Sequence, residues 1–433
     1  MQETEQVTYP QHRWFALVTV CAVYMVAIVV LLSPTTLIAH ISHSIGADSG
    51  ETTLITMSEV DFFTAGGALL GGALLDRFGV GRVYLGCLTL LLLCTLAVPV
   101  AGGGVPGMLV IRALTGAAIG PIMASGPSVT MRFPERERAT VIGVQGSMVS
   151  VGAAISMAFV PMVYTATGSW QWAMASVAVF CVVGLALAVV FAFHPGMAAA
   201  PTAHSGVPDL PLPGLGIAAL RGALRMPATW ALIACSLAFS WLTRAFNDMT
   251  PNYLSASAPT GIGLGPLRGG SLMSMVQFAF IAGALASSLL LAKVFRGRVR
   301  ALTTVLFTVA ALAYYAIRLP AVYGNSHALE GVLLLTGFAV SVTNPVLLAY
   351  IASSYPAEIV GKLAGFVASL GILGGLAGVA VESLTLHATG TYQTAIALFA
   401  VVALVGAGAA PLLRPAPRAA VGRPTPALVD QAR

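Results

Sequence analysis

Several ionisable side chains stand inside long apolar stretches of this chain, among them Glu59, Asp61, Arg112 and Arg244. Burying a charge is costly unless it is paired, so such residues are candidates for function. A carboxylate can take up and release a proton as its surroundings change, and a guanidinium offers a planar fork that fits a carboxylate. These residue types therefore favour proton binding and anion recognition.

Glu59 and Asp61 share one apolar stretch but face different directions. Residues two positions apart lie about 200° apart around a helix, so the two carboxylates cannot both face one cavity. Ser58, Asp61 and Thr64 form one polar stripe, which makes Asp61 the better candidate for a hydrated pathway and Glu59 for a packed ion pair. The alternative is that the acids lie at the depth of the lipid headgroups.

Arg112 lies at a depth similar to that of the two acids, in another apolar stretch. A buried guanidinium without a partner is very costly, so we expect it to pair with Asp61 or Glu59. Two interpretations stay open. The group is either a static structural pair or a proton-coupling centre, in which the arginine and burial act on the carboxylate in opposite directions.

A third group of polar side chains has the spacing of one helical face: Ser236, Ser240, Thr243, Arg244 and Asn247. We expect Arg244 to bind an anionic ligand, with neutral hydrogen bonds from Ser240 and Asn247. The alternative is an ion pair within the helix, because Asp248 follows Arg244 by four positions.

Two further stretches combine polar residues with proline. Ser341 and Asn344 share a face and are expected to contact the same ligand, and the Asn344–Pro345 step predicts a helix break that frees backbone carbonyls. Ser33–Thr36, which contains a proline, predicts a similar break in the first apolar stretch.

The apolar stretches themselves decide the fold class. The chain has 433 residues, of which 58% are hydrophobic and 8% charged, and its mean hydropathy is +0.90. A membrane-spanning helix needs about 20 apolar residues, whereas barrel strands show alternation over about ten. The sequence therefore predicts an all-α membrane protein with twelve spans, at 14–40, 53–75, 83–102, 107–130, 141–164, 172–193, 229–252, 270–292, 301–319, 328–353, 362–386 and 392–413.

A Pro- and Gly-rich segment divides the chain into halves with six spans each. We predict an N-terminal bundle over 1–194, a cytoplasmic linker over 195–228, a C-terminal bundle over 229–413 and a cytoplasmic Pro-rich tail over 414–433. A short echo between Phe133-Pro134 and Tyr355-Pro356, each followed by glycine nine residues after the proline, supports an internal repeat.

The net charge of +6 is a topology signal. Most Lys and Arg residues lie in one set of alternate connections, so by the positive-inside rule both termini are cytoplasmic. This distribution gives no reason to expect a nucleic-acid partner. The five cysteines lie in apolar spans without metal-site spacing, and no nucleophile–base arrangement occurs, so we expect neither metal, cofactor nor enzymatic activity.

The connection after the second span carries a motif, G-x-x-x-D-R-x-G-x-x-R, formed by Gly72, Asp76, Arg77, Gly79 and Arg82. Arg112, Gly116 and Gly120 add the pattern R-x-x-x-G-x-x-x-G in the fourth span. Both patterns resemble those of the major facilitator superfamily. The glycines of the first motif would allow close helix approach and a tight turn, and Asp76 would cap a helix or pair with an arginine.

The resemblance implies two pseudo-symmetric six-helix bundles and transport by alternating access. It implies that the first, fourth, seventh and tenth helices line the cavity, that Arg112 belongs to a proton-linked core, and that the Asp76 loop acts as a gate. The corresponding loop of the C-terminal half, 291–298, contains no acid, which makes a symmetric charge relay doubtful. The fifth span lacks the G-P-x-x-G-G motif of drug exporters.

These observations favour a proton-coupled carrier of a small organic anion, with import the preferred direction. The alternatives are a proton-driven exporter of drugs or metabolites and, more remotely, a transporter-like membrane sensor. The expected partners are a small-molecule substrate, protons and the lipid bilayer. The expected location is a bacterial inner membrane, where the protein would work as a monomer.

Overall fold

The structure is a computed structural model, and it describes residues 12–130, 132–194, 222–355 and 357–413. All regular secondary structure in these residues is helical, which confirms the all-α prediction. The predicted tail, 414–433, and most of the predicted linker, 195–221, lie outside the described residues.

Twelve long helices correspond to the predicted spans. In chain order they are α1 Arg13–Leu31, α2 Glu59–Phe78, α3 Val80–Ala101, α4 Val105–Ala124, α5 Glu135–Thr167, α6 Ala178–Phe193, α7 Pro227–Ser255, α8 Gly265–Leu289, α9 Val299–Ile317, α10 Ser326–Ser354, α11 Ala357–Thr389 and α12 Tyr392–Ala409.

Eleven of the helices in the described residues are long and apolar enough to cross a membrane. The twelfth predicted span is α2, which falls below that standard because it carries Glu59, Asp61, Asp76 and Arg77. The segment before α2 is a short helix, Ser49–Thr53, followed by a π-helical turn, Leu54–Ser58. The four charged residues of α2 indicate that this helix has a role beyond spanning the lipid.

The first predicted span is broken where its sequence predicts a break. Helix α1 ends at Leu31, a run of turns follows, and a short helix resumes at Ile38–Ile45. Ser33 and Thr35 stabilise these turns, since their hydroxyls donate to the carbonyls of Val30 at 2.9 Å and Leu32 at 2.7 Å.

The predicted break at Asn344–Pro345 is wrong. Helix α10 continues through Pro345 to Ser354. Proline removes one backbone donor, but the turns on either side keep their hydrogen bonds, and proline is tolerated inside membrane helices for that reason. The polar residues of α10 therefore stand on an unbroken helix.

Two compact units contain the described residues. The first includes the described parts of Met1–Gly206, Asn247–Phe278 and Val379–Ala395. Within it α2 packs closely on α4: a methyl group on Gly67 would lie 2.8 Å from the Ala117 carbonyl oxygen. Small residues at such contacts let helix backbones approach each other in lipid.

The second unit includes the described parts of Val207–Phe246, Ala279–Gly378 and Ile396–Arg433. Here α11 presents glycines to α7, and a methyl group on Gly374 would lie 2.7 Å from the Leu237 carbonyl oxygen. Tyr314 of α9 packs its ring 5.3 Å from that of Phe246 and 5.0 Å from that of Phe399. The division of the chain into bundles 1–194 and 229–413 stays a prediction.

Candidate functional site

Arg112 of α4 is the most deeply buried large side chain of the predicted site, with 1% of its surface exposed. Three of its guanidinium hydrogen bonds go to backbone carbonyls. Nε donates to Thr56 at 2.7 Å, Nη2 to Leu31 at 2.8 Å and Nη1 to Val30 at 3.4 Å. One side chain thereby joins α4 to the end of α1 and to the π-helical turn before α2.

The local backbone explains why these carbonyls accept. The last carbonyls of a helix have no partner within the helix, and they carry a partial negative charge. Val30 and Leu31 occupy that position in α1, directly before the Ser33–Thr36 turns, and the Val30 carbonyl also accepts from the Ser33 hydroxyl. A cation at a helix C-terminus is electrostatically favourable, so the break in α1 creates the binding partner of Arg112.

Glu59, the first residue of α2, is half-buried and interacts electrostatically with Arg112. Its Oε2 atom is buried and accepts no hydrogen bond from any residue that the structure describes. Asp61 is also half-buried. The predicted proximity of Arg112 and Glu59 is therefore present, although hydrogen bonds to the main chain, which the sequence did not suggest, hold the arginine.

The predicted polar face of α7 lies against the glycines of α11. A methyl group on Gly371 would lie 2.9 Å from Ser240 Oγ, and one on Gly375 would lie 3.3 Å from Arg244 Cβ. Arg244 and Ser240 are both half-exposed. The glycines hold the stem of Arg244 in place and leave part of the side chain accessible.

Asn247 of α7 has a partner that sequence reasoning missed. Gln277 of α8 is 2% exposed, and its amide nitrogen donates to Asn247 Oδ1 at 2.6 Å. The same nitrogen lies 3.8 Å from the sulfur of Met157. The sequence does show a side-chain amide, Gln277, inside the apolar helix α8. Because Gln277 carries no charge, it was not among the ionisable residues considered as candidates.

Ser341 and Asn344 of α10 differ in environment. Ser341 is buried, its hydroxyl donates to the Phe338 carbonyl at 3.0 Å, and Gly283 of α8 packs against it. Asn344 is exposed. Of the two, Asn344 has the more accessible polar group.

The motif loop after α2 contains the predicted tight turn at Gly79, whose φ of 76° favours glycine. Asp76, Arg77 and Arg82 are exposed, and Asp76 forms no ion pair with a described residue. Nothing lies within 4 Å of a methyl group placed on Gly72. The predicted close approach at that glycine is therefore wrong.

The neighbouring Gly71 makes the close approach instead. A methyl group there would lie 2.9 Å from the Cα atom of Pro121 in α4. Consecutive residues of a helix point about 100° apart, so Gly71 faces α4 while Gly72 faces an open side of α2.

Asp48 and His387 form a contact that no motif predicted. The Asp48 carboxylate lies 2.5 Å from Nδ1 of His387, near the end of α11, and it also accepts from the Glu51 backbone amide at 2.9 Å. Partial burial raises the pKa of Asp48, but the bonds from Glu51 and His387 outweigh this and lower the pKa below its usual value. Beside it, a methyl group on Gly50 would lie 2.6 Å from the Ser383 carbonyl oxygen.

Comparisons with known proteins place this geometry in context. Residues 15–334 match the family model of the Major Facilitator Superfamily. A hexuronate transporter of Bacillus subtilis (strain 168) is 36% identical over 123 residues, which is 28% of this chain and 28% of that protein. The match thus spans well under two thirds of the curated relative.

Solved structures agree with the fold. A bacterial homologue of the human lysosomal transporter Spinster, inward-facing and unoccupied, has a TM-score of 0.71 and 14% identity, with 93% of this chain and 97% of that chain covered. Its inward-facing, occupied form has a TM-score of 0.70 and 13% identity at the same coverage. At this identity the likeness concerns the fold alone.

Proposed function

The chain belongs to the major facilitator superfamily, and on that basis we propose that it imports a small organic anion together with a proton. The family and the fold make it a multi-pass membrane transporter. Arg244 supports the substrate class, and the buried region around Arg112 and Glu59 supports the coupling ion.

The half-exposed Arg244 is the observation that carries the substrate class. Its Cβ and Cγ atoms lie beside Gly375, and part of the side chain stays accessible. A guanidinium binds a carboxylate through two parallel N–H donors. A hexuronate has a carboxylate and several hydroxyls, and the Bacillus subtilis relative is a hexuronate transporter. Ser240, on the same face of α7, offers a hydroxyl suited to hydrogen bonds with sugar hydroxyls.

The region around Arg112 supports proton coupling. Arg112 is committed to the carbonyls of Thr56 and Leu31, and Glu59 lies in its electric field with one oxygen lacking a described hydrogen-bond donor. Such a carboxylate changes its proton affinity when water reaches it. In the proposed cycle Glu59 or Asp61 takes a proton on one side and releases it on the other.

We also propose that the motif loop, Gly72, Asp76, Arg77, Gly79 and Arg82, controls the alternation between conformations. Exposed charges on a tight turn can pair differently in two states without touching the substrate. The concentration of Lys and Arg in alternate connections supports cytoplasmic termini, and we propose a bacterial inner-membrane location. We take the transporting unit to be a monomer.

The test of the substrate class uses purified protein in liposomes and labelled glucuronate. Arg244→Lys should raise the half-saturating concentration, because an ammonium lacks the bidentate fork, and Arg244→Ala should raise it further. The matched control is Arg318→Lys, which alters a half-exposed arginine at the end of α9 and should leave the half-saturating concentration unchanged. Equal effects of Arg244→Lys and the control would remove the support for anion binding.

The buried carboxylate of Asp248 favours one alternative, an exporter of cationic compounds. In that case Asp248 would be the recognition charge, and Arg244 would serve to neutralise it. Asp248→Asn would then abolish transport, whereas rescue of Arg244→Ala by the double change Arg244→Ala/Asp248→Ala would show that the two residues only neutralise each other and that neither binds the substrate. Extrusion of lipophilic cationic dyes by the wild type would support the same alternative, and ligand binding without flux would indicate a sensor.

A further inference from the structure

A cavity of about 760 Å³ lies at one end of α9, α10 and α12, within the second compact unit. Its walls come from the turn before α9, the last turn of α10 and the end of α12. None of the residues proposed above for substrate or proton binding lines it. It is therefore a separate site.

The polar part of the cavity is basic. Arg298 and Arg300 line it together with Thr304 and Ser353, and the Ser353 hydroxyl donates to the Tyr350 carbonyl at 3.2 Å. No Asp or Glu is among the described residues that line it, so the two guanidinium charges are not balanced by a carboxylate in the wall. Arginine pairs with phosphate through two parallel hydrogen bonds, and hydroxyls add further donors.

Arg298 ends the loop 291–298, whose sequence lacks the acid of the Asp76 motif, and Arg300 follows it in the first turn of α9. Arg296 and Gly297 both have left-handed backbone conformations, with φ of 51° and 75°. Two consecutive residues of this kind turn the chain sharply from the end of α8 into α9. The turn places Arg298 and Arg300 in the cavity wall, whereas Lys293 and Arg296 do not line it.

The rest of the wall is apolar and includes Val305 and Leu413. A free phosphate would make no favourable contact with an apolar surface. A phospholipid has a phosphate for the arginines and acyl chains for the apolar wall. The cavity lies where three membrane helices begin or end, on the face that the basic connections are predicted to place in the cytoplasm. Basic pockets between helices on that face suit anionic headgroups.

We propose that this cavity binds the phosphate headgroup of an anionic phospholipid of the adjacent leaflet. Arg298 and Arg300 hold the phosphate oxygens, Thr304 donates to the headgroup, and the apolar wall contacts the first part of an acyl chain. The bound lipid would tie together the ends of α9, α10 and α12.

The test titrates the full-length protein in neutral detergent with phosphatidylglycerol and follows the thermal unfolding midpoint. Phosphatidylglycerol should raise the midpoint and phosphatidylcholine should not. In Arg298→Gln/Arg300→Gln the apparent dissociation constant for phosphatidylglycerol should rise roughly tenfold or more, since charge-assisted hydrogen bonds are lost. Arg298→Lys/Arg300→Lys should keep part of the affinity.

The matched control is Lys293→Gln/Arg296→Gln, which removes the same charge from the same loop but outside the cavity wall. It should bind phosphatidylglycerol as the wild type does. An equal loss in this control would overturn the proposal, because a diffuse surface charge would then suffice. Equal stabilisation by inorganic phosphate at the same concentration would overturn it too, since a free anion would be the ligand.

Discussion

Replacement of Arg112 tests whether the arginine is chiefly a support for the backbone or a mobile partner of a carboxylate. Its two short hydrogen bonds reach carbonyls on different segments, Thr56 at 2.7 Å and Leu31 at 2.8 Å. A lysine keeps the charge, but its single ammonium group cannot reproduce a rigid fork that reaches both segments. We therefore expect Arg112→Lys to lose at least one of these bonds.

The magnitude follows from burial. Arg112 is 1% exposed, so water does not replace a lost donor, and a buried acceptor left without one costs roughly 1–3 kcal/mol. Arg112→Lys should destabilise the protein by about that amount. Arg112→Ala, which removes both short bonds, should cost about 2–6 kcal/mol before any gain from no longer burying a charge.

The assay is the thermal unfolding midpoint of purified protein in detergent, followed by size-exclusion chromatography after heating. Arg82→Lys, an exposed arginine of the motif loop, is the control and should keep the wild-type midpoint. An Arg112→Lys protein as stable as the control would refute the reasoning. It would mean that the three carbonyls do not depend on the guanidinium.

Three further changes separate coupling, gating and the Asp48–His387 contact. Asp61→Asn should abolish accumulation driven by a pH gradient while exchange of substrate across the membrane continues; accumulation at the wild-type rate would exclude Asp61 as the coupling acid, and Glu59→Gln would be measured next. Asp76→Asn should slow transport without weakening substrate binding, since an exposed loop acts on the conformational equilibrium; a loss of affinity at unchanged turnover would contradict this. Asp48→Asn should lower the unfolding midpoint at pH values above the usual carboxyl range, because the lowered pKa of Asp48 means that the folded protein stabilises its charged carboxylate. Below the usual carboxyl pKa of 3.8 the stabilisation by Asp48 should fade as its carboxylate is protonated, and a wild-type-to-variant difference independent of pH would argue against an ion pair.

The helices could be predicted from the sequence alone. In lipid, every backbone polar group must be hydrogen-bonded within the protein, and a long apolar run achieves this only as a helix. The helix break at Ser33–Thr36 could also be predicted, since its proline removes a backbone donor and its hydroxyls compete for helical hydrogen bonds. Pro345 shows the limit of that rule. The same residue type leaves α10 unbroken, although Ser341 and Thr343 beside it also donate their hydroxyls to carbonyls of the preceding turn.

The partners within the site were harder to predict. Every residue has a carbonyl, so nothing in the sequence distinguishes Thr56 and Leu31 as the acceptors of Arg112. The Asp48–His387 contact joins residues 339 positions apart, and neither belongs to a motif. Gln277 carries no charge and follows no pattern. Such contacts arise from tertiary packing, which residue spacing along one helix does not contain.

Uptake of a labelled hexuronate into proteoliposomes, with pH gradients of either sign, tests the central claim most directly. We predict accumulation when the outside is acidic, loss of accumulation when a protonophore collapses the gradient, and no accumulation in the reverse gradient. Hexuronate uptake that ignores the pH gradient would contradict proton coupling. Absence of uptake, together with extrusion of cationic dyes, would contradict the anion importer.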